Sequence, residues 1–115
     1  SIMPSTSEII LSNKTATDGS SLTSFEGEKF KGDGYYGRSD GFHTVQYDFS
    51  GLSGDIIIQA TIATNPTNDD WFDVHTYTAN VETATKYHNF TGNFVWIRAK
   101  LSITDGTVNS IRMNH

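Results

Sequence analysis

Apolar and polar side chains alternate in steps of two along much of this chain, and this pattern most limits what it can fold into. One face of the segment 94–103 carries Val95, Ile97, Ala99, Leu101 and Ile103. The other face carries Phe94, Trp96, Arg98, Lys100 and Ser102. Successive side chains of a β-strand point to opposite sides of the sheet, so this segment is predicted to be a long half-buried strand. Segments 56–62 and 45–49 alternate in the same way.

About eight strands are predicted in all. The shorter ones lie at 8–12, 22–25, 71–78, 86–90 and 107–113. Turn-forming residues separate them at Asp18-Gly19, Asp33-Gly34, Asp40-Gly41, 51–54, Asn65-Pro66, 91–93 and Asp105-Gly106. Because Asp105-Gly106 lies between two apolar runs, it predicts a hairpin that places the last two strands side by side. No segment shows the period of an amphipathic helix.

These strands and turns predict an all-β fold, a single antiparallel β-sandwich, for which a jelly roll is the favoured topology and a β-barrel the alternative. Residues 1–40 have fewer apolar positions and half of the 10 Gly, so we expect a glycine-rich N-terminal arm with edge strands. Residues 41–115 are predicted to form the sandwich core of the same domain. The chain begins with Ser1 rather than Met, and we expect it to have been processed, trimmed or cut from a longer product.

Composition excludes several classes of function. The chain has no Cys, which removes disulfides, thiolate metal sites and thiol nucleophiles. Its net charge of −5 argues against nucleic acid as a partner, since that affinity rests on clustered Lys and Arg. The longest apolar run, 94–97, is far shorter than the roughly 20 residues that cross a bilayer, so no membrane partner is expected.

None of the motifs that suggest chemistry is complete. The glycines of GDGYYG at 32–37 have the spacing of a dinucleotide fingerprint, but a loop and a strand follow where that motif needs a helix. Asp69, Asp70 and Asp73 could ligate a hard cation, yet their spacing fits no EF-hand loop. The four His residues are widely spaced in sequence and accompany no nucleophile elbow. We therefore predict no catalytic residue, cofactor or metal.

Aromatic residues on faces that the alternation marks as non-core are the most informative feature. Trp71, His75 and Tyr77 share one predicted face, and Phe94 and Trp96 share another. Such rings can complete a core beneath covering loops, anchor a protein interface or stack on sugars. Completion of the core is favoured, with a protein interface second and sugar stacking third. The candidate binding residues, for an interface or a glycan, are Trp71, Tyr77, Trp96, Tyr35 and Tyr36.

Three stretches carry a resemblance to known proteins: GDGYYGRSDGFHTVQ at 32–46, DDWFD at 69–73 and GNFVWIRAK at 92–100. They resemble virion proteins of tailed marine phages, particularly T4-like cyanophages. The same region is similar in pattern to discoidin-type, galactose-binding-like jelly rolls, many of which bind glycans or a structural Ca²⁺ through loops at one end.

The phage resemblance implies a non-enzymatic structural protein of the virion: a decoration, collar or fibre-associated module that docks through its β-surface and aromatic contacts. Its expected partners are other virion proteins, further copies of itself in a homo-oligomer, and a host-surface glycan. The alternative is a carbohydrate-binding module that uses Trp71, Tyr77 or the Tyr35-Tyr36 loop. A small hydrolase is the least favoured hypothesis, because no acid/base pair is identifiable.

Overall fold

The structure, a computed structural model, describes residues 7–16, 22–37 and 40–115 and is all-β in these ranges. The strands are β1 (Ser7–Ala16), β2 (Thr23–Glu26), β3 (Phe30–Lys31), β4 (Phe42–Thr61), β5 (Phe72–Thr91) and β6 (Trp96–Asn114). Two 3₁₀ turns, Asp33–Tyr36 and Asn68–Asp70, precede β4 and β5. No helix within the described ranges is long and apolar enough to span a membrane.

All strand pairs are antiparallel, and the sheet order is β1-β6-β4-β5, with β2 and β3 also paired to β6. The three long strands each contribute to two layers. In the first layer, β1 pairs with the 106–114 half of β6, followed by the 42–50 half of β4 and the 82–91 half of β5. In the second layer, β2 and β3 pair with the 96–103 half of β6, followed by residues 54–61 and 72–79.

The sheet bends where the register of β4 shifts relative to both of its neighbours, between Phe49 and Gly54. Positive φ angles mark this crease on all three long strands: 56° at Gly51 and 131° at Gly54 on β4, 48° at Val81 on β5 and 86° at Gly106 on β6. Bulges of this kind add a residue to one strand and increase its local bend. The crease therefore folds one continuous sheet into the two layers of a sandwich.

The predicted Asp105-Gly106 hairpin is wrong, because β6 runs through this position from Trp96 to Asn114. Residues on both sides of the pair remain opposite β4. A bulge and a two-residue turn both use a glycine at positive φ, so the local signal is the same for the two structures. The turn predicted at 51–54 is likewise a bulge within β4. For this reason the predicted strands merge in pairs into β4, β5 and β6.

The core lies between the two layers and contains most of the residues that the alternation marked as inward, whereas Val95 is half-buried and Ile62, beyond the end of β4, is exposed. Ile97, Leu101 and Ile103 on β6 and Ile56 and Ile58 on β4 are fully buried. The first layer contributes Val45, Tyr47, Phe49, Val108, Ile111 and Met113. Burial of this apolar surface is the main stabilising contribution to the sandwich.

The predicted N-terminal segment contributes the edge strands β1, β2 and β3. β1 pairs with β6 over its length, and Ile10, Leu11 and Ala16 are buried against the core. The predicted Asp18-Gly19 turn and the outermost part of the arm, residues 1–6, lie outside the described residues.

β5 is the last strand in the sheet order, and its two halves lie opposite each other, one in each layer. The rings of His75 and His88 stack with centroids 3.6 Å apart and planes 8° apart. Beside them, Tyr77 packs on Phe49 with centroids 5.6 Å apart. Burial lowers the pKa of His75 below its usual 6.5, and repulsion from His88 lowers it further. Burial also lowers the pKa of His43, which is buried at one end of the sandwich.

We expect the protein to lose stability as the pH falls below about 6.5, because imidazoles of the unfolded chain take up protons that the folded chain excludes. The loss continues until the pH reaches the lowered pKa values of the folded state. Thermal unfolding between pH 7.5 and 5 measures this effect. His75→Phe keeps an aromatic ring against His88 and removes one titrating group, so its melting temperature should fall less over this range. An equal fall in both proteins would contradict the assignment to His75.

Candidate functional site

Trp71, Trp96 and Tyr35 lie on the outer face of the second layer, and Tyr36 adjoins them toward one end of the sandwich, where its ring stacks on that of His115 with centroids 5.9 Å apart. Trp96 is opposite Thr61 in the β4–β6 register, and Trp71 immediately precedes Phe72, which is opposite Ala60. The two indoles therefore flank Thr61 from opposite sides. Adjacent strands are about 4.8 Å apart, so the backbones of the two Trp residues are separated by roughly 10 Å.

A loop with close backbone contacts places Tyr35 and Tyr36 next to Trp96. The Gly32 N–H donates to the Val95 carbonyl over 2.9 Å, and the Gly34 N–H donates to the Phe94 carbonyl over 2.9 Å. A Cβ at either glycine would collide with the backbone of residues 93–94. Gly32 and Gly34 thus allow the close packing of this loop against the residues before β6.

We call the four rings of Tyr36, Tyr35, Trp96 and Trp71 the aromatic face. Tyr35 lies 5.5 Å from Tyr36 in an edge-to-face arrangement and 5.2 Å from Trp96, measured between ring centroids. The Trp96 Nε1–H donates to the Thr64 carbonyl over 3.0 Å, which fixes the orientation of that indole. Both Tyr side chains are exposed and both Trp side chains are half-buried. The Trp residues therefore lie outside the interlayer core, contrary to the favoured prediction.

A chain of polar side chains crosses four strands of the second layer, β2, β6, β4 and β5, beside the aromatic face. Arg98 on β6 donates through Nε to Gln59 Oε1 on β4 over 2.8 Å, and through Nη2 to Glu26 Oε2 on β2 over 3.0 Å. Gln59 Nε2 in turn donates to Asp73 Oδ1 on β5 over 2.9 Å. We call these four residues the polar row. It supplies carboxylate, amide and guanidinium groups along one line of the face.

Trp71 joins the polar row to the aromatic face. The Arg98 guanidinium carbon lies 4.4 Å from the centroid of the Trp71 ring, and Arg98 is only 7% exposed. The indole therefore covers the guanidinium from the solvent side. Arg98 also forms hydrogen bonds with Gln59 and Glu26. The Trp71 indole therefore packs on a hydrogen-bonded network that spans β2, β4 and β6.

The fifth predicted residue, Tyr77, lies between the layers, and so does His75. The register of β5 shifts between Asp73, opposite Gln59, and His75, opposite Ile58, which leaves Val74 as an extra residue. One extra residue exchanges the two faces of a strand. Trp71 consequently points outward while His75 and Tyr77 point inward, and the prediction that these three share a face is wrong. The Tyr77 hydroxyl donates to Glu82 Oε1 over 2.6 Å, which holds the pKa of Tyr77 above its usual range.

Phe94 also departs from the predicted outward face. It packs against the core with its ring near those of Phe72 and Phe90, 5.5 Å and 6.2 Å away between centroids. Phe94 precedes β6, so the alternation of that strand does not extend to it.

The acidic stretch at 69–73 is engaged within the fold. Asp70 Oδ2 accepts from the backbone N–H of Thr67 over 2.7 Å and completes a capping box at the second 3₁₀ turn. Asp73 accepts from Gln59 in the polar row. Across the described residues, no group of three His, Asp or Glu side chains could hold a metal ion.

Histidines that are widely separated in sequence come together in two pairs. Besides the His75–His88 stack, His43 lies 5.8 Å from His115 between ring centroids. His115 is also 3.1 Å from the Asp33 carboxylate and 3.3 Å from that of Glu8. These contacts tie both ends of the described chain to one end of the sandwich.

A groove of about 360 Å³ lies between β1 and the segment 25–30. Ile10, Leu11 and Phe25 contribute apolar surface to it, and Lys14 and Glu28 contribute charge. Glu26 lines this groove and also belongs to the polar row, but none of the four aromatic-face rings lines it.

Sequence reasoning missed Gln59 and the two lysines that lie over the aromatic rings, Lys29 and Lys31. Gln59 interrupts the apolar run 56–60, and a single amide within such a run was the available signal. The lysines gave no comparable signal, because their positions depend on the pairing of residues 30–31 with β6.

No protein-family model matches the chain, and no curated protein matches it. Among solved structures, it is similar to a family 29 carbohydrate-binding module from Piromyces equi, with a TM-score of 0.50 and 8% sequence identity. The match covers 96% of this chain and 91% of that one. Similarity over nearly the whole of both chains shows that the two share a β-sandwich fold.

Proposed function

We propose that this protein is a non-catalytic module that binds a saccharide on the outer face of its second layer. The observation that best supports this proposal is the position of the Trp71 indole, which lies over the Arg98 guanidinium of the polar row. Aromatic rings stack on the apolar faces of sugar rings, while amide, carboxylate and guanidinium groups bond to hydroxyls. The outer face of the second layer supplies aromatic rings together with the exposed carboxylates of Glu26 and Asp73.

The shared fold supports this proposal, because the similar structure from Piromyces equi is a carbohydrate-binding module. Fold alone does not transfer function, so the proposal depends on the arrangement of Trp71, Trp96, Tyr35 and the polar row. In this proposal, the three rings stack on successive sugars, and the exposed carboxylates of Glu26 and Asp73 at the two ends of the polar row accept hydrogen bonds from their hydroxyls.

Trp71→Ala should lower affinity for the recognised glycan by about tenfold or more, because it removes the stacking ring that lies beside the polar row. A glycan array identifies the ligand, and titration calorimetry measures the change in affinity. Trp71→Phe keeps an aromatic ring and should lose less affinity for the glycan than Trp71→Ala.

Tyr87→Ala is the matched control, since Tyr87 is an exposed ring on the half of β5 that belongs to the first layer. Circular dichroism checks that each variant remains folded. Unchanged affinity in folded Trp71→Ala, or equal losses in Trp71→Ala and Tyr87→Ala, would contradict the proposed site.

A structural role on a phage virion is the second candidate. It stays a prediction from the sequence resemblance, as do attachment to other virion proteins, location on the virion and homo-oligomer formation. One observation favours a docking role: within the described ranges, β5 pairs only with β4 along its 20 residues. An edge of this length offers backbone groups to a strand of a neighbouring molecule. The 82–91 half of this edge belongs to the first layer, away from the aromatic face, so docking there is compatible with glycan binding.

A further inference from the structure

Two lysines lie over rings of the aromatic face. The Lys29 ammonium nitrogen is 5.0 Å from the centroid of the Trp96 ring, and that of Lys31 is 4.7 Å from the centroid of the Tyr35 ring. Both lysine side chains are exposed. In the part of the chain that the structure describes, neither ammonium forms an ion pair with a carboxylate. Two uncompensated positive charges thus lie at one end of the face in a protein of net charge −5.

The charges of the polar row are already engaged with one another. The Arg98 guanidinium is paired with Glu26, and Asp73 accepts from the Gln59 amide. Next to the rings of the aromatic face, the positive charge available to a ligand therefore lies at the end formed by Tyr35 and Trp96. The Trp71 end, which follows the acidic residues Asp69 and Asp70, has no such excess.

The position of these ammonium groups affects which sugar can stack there. A sugar ring can lie on Trp96 or Tyr35 only after the lysine moves away from that ring. A neutral sugar offers the displaced ammonium no charged partner. A carboxylate or sulfate group on the sugar gives it a charge-assisted hydrogen bond, which is stronger than an exposed cation–π contact.

We infer that the preferred ligand is an anionic saccharide, with a carboxylate or sulfate held between Lys29 and Lys31 and its sugar rings stacked along Tyr35, Trp96 and Trp71. This inference rests on the proposed saccharide site. It adds the charge of the ligand and the two residues that select it. In the free protein the two ammonium groups lie over the rings, and they leave the rings to bind the anionic group of the sugar.

The test compares glycans that differ only in charge. Titration calorimetry on the full chain uses oligogalacturonate against its methyl ester, and a sulfated galactan oligosaccharide against its desulfated form. We expect the acid or the sulfate to bind about tenfold more tightly than its neutral counterpart at low salt. This preference should shrink near 0.3 M salt, where the Debye length is only about 6 Å. Comparison of the two pairs tells whether carboxylate or sulfate is the recognised group.

The variant Lys29→Gln/Lys31→Gln should abolish the preference for the charged ligand, and affinity for the neutral one should not fall, because no ammonium then has to leave the rings. Lys14→Gln/Lys86→Gln makes the same change in net charge away from the aromatic face and should keep the preference. If both double variants lost the preference for the charged ligand equally, the assignment to Lys29 and Lys31 would be overturned. General electrostatic attraction, rather than these two lysines, would then explain the preference. Neutral glycans that bind as well as charged ones would overturn the inference while the proposed function stands. No binding of any glycan would overturn both.

Discussion

Replacing Gly54 by alanine is expected to lower the free energy of unfolding by about 3 kcal/mol or more. A Cβ at this position would lie 2.5 Å from the Ile103 Cα and 2.5 Å from the Ser102 carbonyl oxygen, both on the neighbouring strand β6. The φ angle of 131° adds backbone strain, because side chains rarely adopt it. The substitution would therefore push β4 away from β6 at the crease. Equilibrium unfolding in urea measures the loss.

Gly51→Ala is the matched control at the same crease. Gly51 has a φ of 56°, but a Cβ there would meet no atom within 4 Å. Backbone strain alone predicts that Gly51→Ala lowers the free energy of unfolding by about 1 kcal/mol. The difference between the two variants isolates the close approach of β4 to β6. Similar losses at Gly51 and Gly54 would contradict the packing of the crease described above.

Arg98→Ala is expected to destabilise the protein by about 3 kcal/mol, because it removes a buried guanidinium that bonds to two neighbouring strands and supports an indole. The Gln59 Oε1 atom would lose its donor at a buried position. Urea unfolding measures the effect. In a Trp96→Phe background, Trp71 is the one remaining Trp of the chain, so its fluorescence reports whether the indole stays in place.

Arg98→Lys separates charge from geometry. A lysine keeps the positive charge but cannot bond to Gln59 and Glu26 from a planar fork while stacking on Trp71. We expect it to recover less than half of the stability lost in Arg98→Ala, with the Trp71 fluorescence still changed. Full recovery would show that only the charge matters, and a loss below about 1 kcal/mol in Arg98→Ala would contradict the supporting role of the polar row.

The strand interiors could be predicted from the sequence because each has one buried side, and burial imposes alternation with period two. Ile97, Leu101 and Ile58 were assigned to the core on that ground and are fully buried. The prediction failed where a bulge replaced a turn or added a residue. Gly106 satisfies the local requirements of both a hairpin and a bulge, and only its pairing with β4 distinguishes the two structures.

The candidate site could be predicted in part. Aromatic residues on outward faces were a sufficient signal for Trp71 and Trp96, and the tyrosine pair in a glycine-rich loop was another. Tyr77 was assigned to the same face, because nothing in the sequence marks Val74 as an extra residue. The polar row joins residues as far apart as Glu26 and Arg98. Such contacts depend on strand order, which alternation within each strand does not determine.

The passage of β4, β5 and β6 through both layers has a consequence for how the chain folds. Neither layer has its own complete set of strands, so neither can form as an independent unit. The pairing of Ser7 with Asn114 also closes a loop of about 100 residues, which makes the sandwich a fold of high contact order. We expect slow folding in one cooperative transition, with no stable half-sandwich. A partly folded chain would expose the apolar inner faces of both layers together.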